Sequence, residues 1–422
     1  MKHIRMMDWI EAALLAAMAP LFIFPRINRL WPFLIFPILW LVRFLFVKLK
    51  GSDSYAGSPI DVAVALLGVQ LVISSAASGQ WAAMLPKVVG IVYGILVFFV
   101  IVRIVRTERL IAVGIGVYIA GGAGLAVIGV MGMFLSGEAH FRRLLELLIG
   151  RIPQKNWGFE GAEAGLNPNA VAGVLLLFVP LCMALFVNMI RERKAMPGAG
   201  LAFIPLLGLL TAFFLLVLFI SQTIASWLAL AGGLWLVISS KNIQIFGIIF
   251  IVLFSGLVLI VLPESDAEAA AERKRPYWIE KIKHRHLQWS VGITAVREKP
   301  LTGVGVNMLR REPGLGYKKA HAHNHMLHTA AEMGIPGLIA YLAILGGAWA
   351  MCRSVWLRPM PGWMRASARG LAGGQAAHVL FGLGDSIPLG AKPGIVFWIS
   401  LGLIAALYHK AVYPAMNREH PE

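Results

Sequence analysis

The sequence predicts an all-α polytopic membrane protein with about twelve transmembrane helices and one long, largely helical outer loop. Three observations carry that expectation. Of 422 residues, 58% are hydrophobic and only 14% charged, and the mean hydropathy is +0.75, a balance foreign to water-soluble domains of this length. The apolar residues gather in runs of about 17 to 25, each long enough as helix to cross ~30 Å of hydrocarbon. Lys and Arg sit in short clusters between these runs, as expected of loops sorted by side of a membrane. The same scatter excludes a folded nucleic-acid-binding domain despite a formal net charge of +17. Anionic lipid, or an anionic lipid-linked substrate, is the better partner.

In chain order the apolar runs fall near 8–25, 30–47, 58–77, 82–103, 109–135, 168–190, 200–220, 222–240, 244–262, 335–356, 366–384 and 390–409. The first has a basic start at Lys2 and Arg5 but no small-residue cleavage site before the next run, so it reads as a retained helix. Gly and Pro interrupt many runs, which a bundle tolerates because neighbouring helices re-satisfy the freed backbone groups. Lys48, Lys50, Arg103, Arg106, Arg109, Arg191, Arg193, Lys194, Lys241, Arg353, Arg358, Arg365, Arg369, Lys410 and Arg418 then share the inner side with Lys2 and Arg5. Both termini face the cytoplasm on this reading. Three parts result: an N-terminal bundle over 1–262 with about nine spans, a polar loop over 263–334, and C-terminal helices with a short tail over 335–422. Cys182 and Cys352 lie in or beside apolar runs near the inner leaflet, so a disulfide between them is not expected.

Two outer segments are basic where topology does not ask for positive charge. The first, 136–167, contains FRRLLELLIGRI, an amphipathic pattern suited to lying in the interface with its leucines in lipid. Its His140, Arg142, Arg143 and Arg151 have two readings. Long cationic side chains snorkel to headgroups, and guanidinium groups hold phosphate oxygens in pairs. Asn167-Pro168-Asn169 then opens a span, where Asn caps and Pro suits the first helical turn.

The second segment is the 263–334 loop. Over 264–289 its pattern is helical and amphipathic, with Trp278, Ile279, Ile282, Leu287 and Trp289 available for packing. Most of its charges belong in solvent. Arg285 differs, because it precedes Trp289 by four residues and shares its helical face. Gly303, Gly305, Pro313, Gly314 and Gly316 predict turns that bend the loop back. The Gly303-Val304-Gly305 turn is no phosphate loop, since no strand precedes it and no Lys-Ser/Thr follows.

The loop ends in a histidine cluster. His321, His325, His328 and Glu332 recur at helical spacing on one face, with side-chain types that bind zinc. Alternatively, one imidazole serves as general base towards a sugar hydroxyl, with arginine carrying the leaving group's charge and no metal required. A third reading leaves these histidines as interfacial polar residues.

His323-Asn324 followed by nine residues, Gly334, two residues and Gly337 resembles the pattern of bacterial O-antigen ligases. Around it, the chain is similar to the wider ligase and polymerase superfamily in Asn167-Pro168-Asn169, Arg285-x3-Trp289, Pro300-Leu301-x-Gly303-x-Gly305, His378 with Phe381-Gly382-Leu383, and Asp385-Ser386. The resemblance covers roughly 165–400, and its specific part is the His-Asn element. One departure stands out: members often carry Ser-Arg at the outer start of a central span, whereas here Ser221 to Trp227 holds no Arg. If that Arg binds pyrophosphate in relatives, Arg142, Arg143 or Arg151 is the expected substitute.

The resemblance implies an inner-membrane glycosyltransferase with its long loop and active site on the periplasmic face. It would move a glycan from undecaprenyl pyrophosphate to a hydroxyl of the lipid A core oligosaccharide, with inversion at the anomeric carbon expected from direct displacement. It implies His323 as the base or acceptor-orienting group and Arg285 as a phosphate ligand. Arg142, Arg143, Arg151, Asn169, Asn324 and Trp289 are the expected substrate contacts. No metal or cofactor is expected, since the donor's phosphoanhydride supplies the driving force and no outer-face Asp-x-Asp is present. Its rivals are an O-antigen polymerase or a protein O-oligosaccharyltransferase of the same architecture. From another class, a lipid or solute transporter would place paired polar groups at the midplane of broken helices.

Overall fold

A computed structural model describes residues 2–23, 57–135, 168–195, 198–221, 224–238, 277–311, 322–385 and 387–413. Every regular element among these residues is helical: α1 Lys2–Ile23, α2 Asp61–Ser78, α3 Trp81–Ile104, α4 Glu108–Leu135, α5 Pro168–Leu175, α6 Val179–Glu192, α7 Phe203–Ile220, α8 Ile224–Ile238, α9 Tyr277–Glu298, α10 His325–Trp356, α11 Gly362–Gly382 and α12 Ile395–Val412, with short helical turns between some of them. Seven helical segments among the described residues are long and apolar enough to cross a membrane, which makes this a multi-pass membrane protein. The expected spans at 30–47 and 244–262, and the segment 136–167 with Arg142, Arg143 and Arg151, lie outside the described residues.

The apolar runs become helices because a chain in hydrocarbon must satisfy every N–H and C=O within itself. Three elements differ most from the expected bounds, two of them with a visible local cause. The run at 168–190 divides into α5 and α6 at Leu176–Phe178, where the backbone makes turns and Pro180 sits at the start of α6. Helix α9 reaches Glu298, nine residues past the amphipathic stretch expected to end at Trp289. Helix α10 begins ten residues before the apolar run at 335, because Asn324 caps it: its side-chain oxygen accepts the Leu327 N–H at 3.0 Å.

Helix α11 packs on α6 and α8; α10 packs on α2, α11 and α12, and α12 on α3. Their shared core holds Tyr341, Phe381, Phe397, Trp398 and Phe178, all almost wholly buried. A second cluster matters more for function. Met84 of α3, Val291 and Ala295 of α9, Val304, Met308 and Leu309 of the following segment, Ala322 and Ala331 are buried together. This cluster fastens α9 and the first turns of α10 to the end of α3. Cys182 and Cys352 are both buried and free.

Candidate functional site

Three chain segments meet at the N-terminal end of α10. The residue before the cap, His323, has φ 49, in the left-handed region that residues with a Cβ adopt only at a cost of roughly 1–3 kcal/mol. Its neighbour Asn324 returns to an extended conformation and starts the helix. That reversal turns the imidazole out of the helix line and towards the end of α11. There the chain leaves α11 through a tight turn in which the Gly384 and Asp385 N–H groups both donate to the Phe381 carbonyl at 3.0 Å. The turn presents Asp385 to the histidine.

The His323 Nδ1 lies 3.0 Å from Asp385 Oδ1. The other carboxylate oxygen accepts a 2.8 Å hydrogen bond from Asn169 Nδ2, at the start of α5. Arg285 comes from α9: its Nη1 donates to the Gly384 carbonyl and, at 3.4 Å, to the His323 carbonyl, and its Nη2 stands 4.0 Å from Asp385 Oδ2. Asn324 completes the frame, donating from Nδ2 to the Leu383 carbonyl at 3.3 Å. Of this group, Arg285 and His323 keep the most access, with side chains 32% and 25% exposed against 11% for Asp385.

The arrangement has a definite chemical capacity. Because a carboxylate only accepts, the neutral ring that suits this contact carries its proton on Nδ1 and leaves the lone pair on Nε2. A histidine held this way can take a proton at Nε2 while the carboxylate lies against the charge gained. Asn169 leaves the carboxylate little freedom to turn away. Trp289, one turn along α9 from Arg285, has its indole N–H buried with no hydrogen-bond partner among the described residues, a donor of the sort that ordered water or a ligand normally satisfies.

Of the residues singled out in the sequence, His323, Arg285, Asn324 and Asn169 come together. Asn169 does so by holding Asp385, and Asn324 through backbone capping. Asp385 stands in the sequence only as part of a short pattern with no role attached. The signal that finds it is an acid placed just after an apolar run. The rest of the histidine face separates: His328 Nε2 pairs with Glu332 Oε2 at 3.3 Å, while the His325 ring packs on Tyr341 and His378 at 5.0 and 6.3 Å between centroids. His321 lies outside the described residues. Among the described residues, no three His, Cys, Asp or Glu side chains gather as a metal site would require.

Fold and site together define a helical, multi-pass membrane protein in which a histidine–aspartate pair and a guanidinium lie side by side. Residues 209–342 match the family model described as O-antigen ligase, and the match supports membership of the O-antigen ligase family. The matched segment includes Arg285, Trp289, His323 and Asn324, whereas Asn169 and Asp385 lie beyond it. A glycosyltransferase-like role in glycan processing follows from that family. No curated protein matches the chain.

Proposed function

We propose that this protein is an O-antigen ligase, joining a glycan carried on undecaprenyl pyrophosphate to a hydroxyl of the lipid A core oligosaccharide at the periplasmic face. The observation that carries the reading is the 3.0 Å contact between His323 Nδ1 and Asp385 Oδ1 beside Arg285. His323 Nε2 takes the proton of the acceptor hydroxyl as its oxygen attacks the anomeric carbon. The bond from that carbon to the phosphate oxygen breaks, and undecaprenyl pyrophosphate leaves with the electron pair. Displacement from the opposite side inverts the anomeric centre. Arg285 meets the charge developing on the leaving phosphate through the charge-assisted hydrogen bonds a planar guanidinium makes with phosphate oxygens.

Both substrates are amphiphiles held in the bilayer, so a site at the end of a helical bundle receives them already concentrated, and holding them in line supplies much of the rate. Trp289 and its buried N–H favour a substrate group beside α9. The test is reconstitution of the purified protein with lipid-linked glycan and lipid A core in the presence of EDTA. Product that forms under chelation and is lost in His323→Ala and Arg285→Ala supports the reading. Chelator-sensitive transfer refutes the metal-free mechanism, and glycan elongation without attachment to the core reassigns the protein as a polymerase.

A further inference from the structure

Helix α9 and the first turns of α10 run side by side. Arg285 lies by His323 at one end, Gly292 faces Leu327 midway, closely enough that a Cβ there would stand 2.9 Å from Leu327 Cγ, and 300–301 meets 334–335 at the other end. At this second end α10 is broken. Gly334 has φ 71 and ψ 175, and Pro336 has no N–H to offer the Glu332 carbonyl. Gly303 and Gly334, both left-handed, let the two backbones cross: a Cβ on Gly334 would lie 2.5 Å from the Leu301 oxygen.

A break in a buried helix leaves carbonyls that must find donors. Two of those donors come from α2. Ser74 Oγ donates to the Glu332 carbonyl at 2.6 Å, joined by the Gly305 N–H at 3.1 Å. Gln70 Nε2 donates to the Met333 carbonyl at 2.7 Å and, with its other hydrogen, to the Leu301 carbonyl at 2.6 Å. Close by, the Ile335 N–H reaches the Pro300 carbonyl at 2.7 Å. One amide group thus ties the trailing end of the element that carries Arg285 to the trailing end of the element that carries His323. Gln70 and Ser74 are 6% and 0% exposed, and both lie outside the matched segment 209–342.

We propose that Gln70 and Ser74 are positioning residues for the His323–Asp385–Arg285 site, an inference that rests on the glycosyl-transfer reading above. The portion of α10 before the break is about 13 Å long at 1.5 Å per residue, so a tilt of about 5° at the break moves its N-terminus by about 1 Å. A displacement of that size is enough to cost about 100-fold in rate. A polar pair one helix away from the reacting groups thereby sets the alignment of imidazole and guanidinium.

The test uses the full chain in lipid with both substrates. Gln70→Met keeps length and removes both donors; the expected result is a kcat lower by about 10- to 100-fold with KM for each substrate within about 3-fold. Ser74→Ala loses less, and Ser74→Thr, which keeps a hydroxyl, recovers parental kcat. A second readout does not depend on turnover: nitroxides attached at Leu287→Cys and Met326→Cys report the spacing of α9 and α10, and in Gln70→Met that spacing shifts or broadens. Parental kcat in Gln70→Met overturns the proposal, as does a loss of kcat with unchanged spacing. Absence of transfer by the parental protein overturns the ligase reading instead, and the nitroxide spacing then tests by itself whether Gln70 holds α9 and α10 together.

Discussion

Replacing Asp385 with Asn tests the site through the direction of a single proton. The introduced amide has two orientations. In one, its oxygen accepts from His323 Nδ1–H while its amino group faces the Asn169 amino group, and the 2.8 Å bond to Asn169 is lost. In the other, its oxygen accepts from Asn169 and its amino group donates to Nδ1, so both contacts survive. With the Asn169 amide held as it stands, the second orientation wins by roughly one buried hydrogen bond, about 1–3 kcal/mol, or about 5- to 150-fold in population. It also moves the ring proton onto Nε2, the atom that accepts one in the proposed reaction. With the carboxylate's charge lost as well, kcat for transfer to lipid A core should fall by about 100- to 10,000-fold. The partner change reverses the logic: in Asp385→Asn/Asn169→Asp, the carboxylate now on α5 accepts from the amide at the end of α11, whose oxygen turns back to Nδ1–H. Transfer by the double variant should exceed that of the single variant at least about 10-fold. The assay is product formation at saturating donor and acceptor, with thermal midpoints in detergent to establish that each variant is folded. A single variant retaining a third or more of parental kcat, or a double variant no faster than the single, refutes the reasoning.

Gly334→Ala should lower the thermal midpoint sharply, because the new methyl meets the Leu301 carbonyl and the backbone is left-handed there, while Gly346→Ala, in open space on the same helix, should be neutral or gain up to about 1 kcal/mol. The Arg103–Glu11 pair joins α3 to α1 at 3.0 Å with both side chains nearly buried. Arg103→Gln should cost about 3–5 kcal/mol by stranding Glu11, whereas Glu11→Leu/Arg103→Leu should be close to neutral; chemical denaturation in detergent separates the two. Replacing Arg285 by Lys should fail to restore transfer to more than about a tenth of parental, since one ammonium cannot reach the Gly384 and His323 carbonyls as a planar guanidinium does; full recovery would reduce Arg285 to a point charge.

Much of the site is within reach of pattern reasoning because its parts are local. His323-Asn324 before a helix, and Arg285 one turn from Trp289, are short-range arrangements, and capping by Asn324 follows from residue type. The partner of each is beyond such reasoning. Asp385 lies 62 residues from His323 and Asn169 216 residues from Asp385, and no spacing rule spans such distances. Periodicity also misleads in one respect. His325, His328 and Glu332 do share a helical face, yet that face is divided between the Tyr341–His378 rings and a separate His328–Glu332 pair. Helical spacing brings side chains to one face, but neighbouring helices decide what each one meets.

The sequence by itself determined that this is a helical membrane protein and where most of its described helices run, because hydrocarbon leaves the backbone no alternative to internal hydrogen bonding. It also singled out His323, through a motif next to a helix start. Tertiary structure alone decided that an acid from the end of α11 holds that histidine, that an amide from α5 holds the acid, and that a glutamine on α2 holds the broken helix behind them. The physical reason is that each of these is a single hydrogen bond between distant segments. Such a bond leaves no periodic trace in a sequence, because it depends on where packed helices end in space.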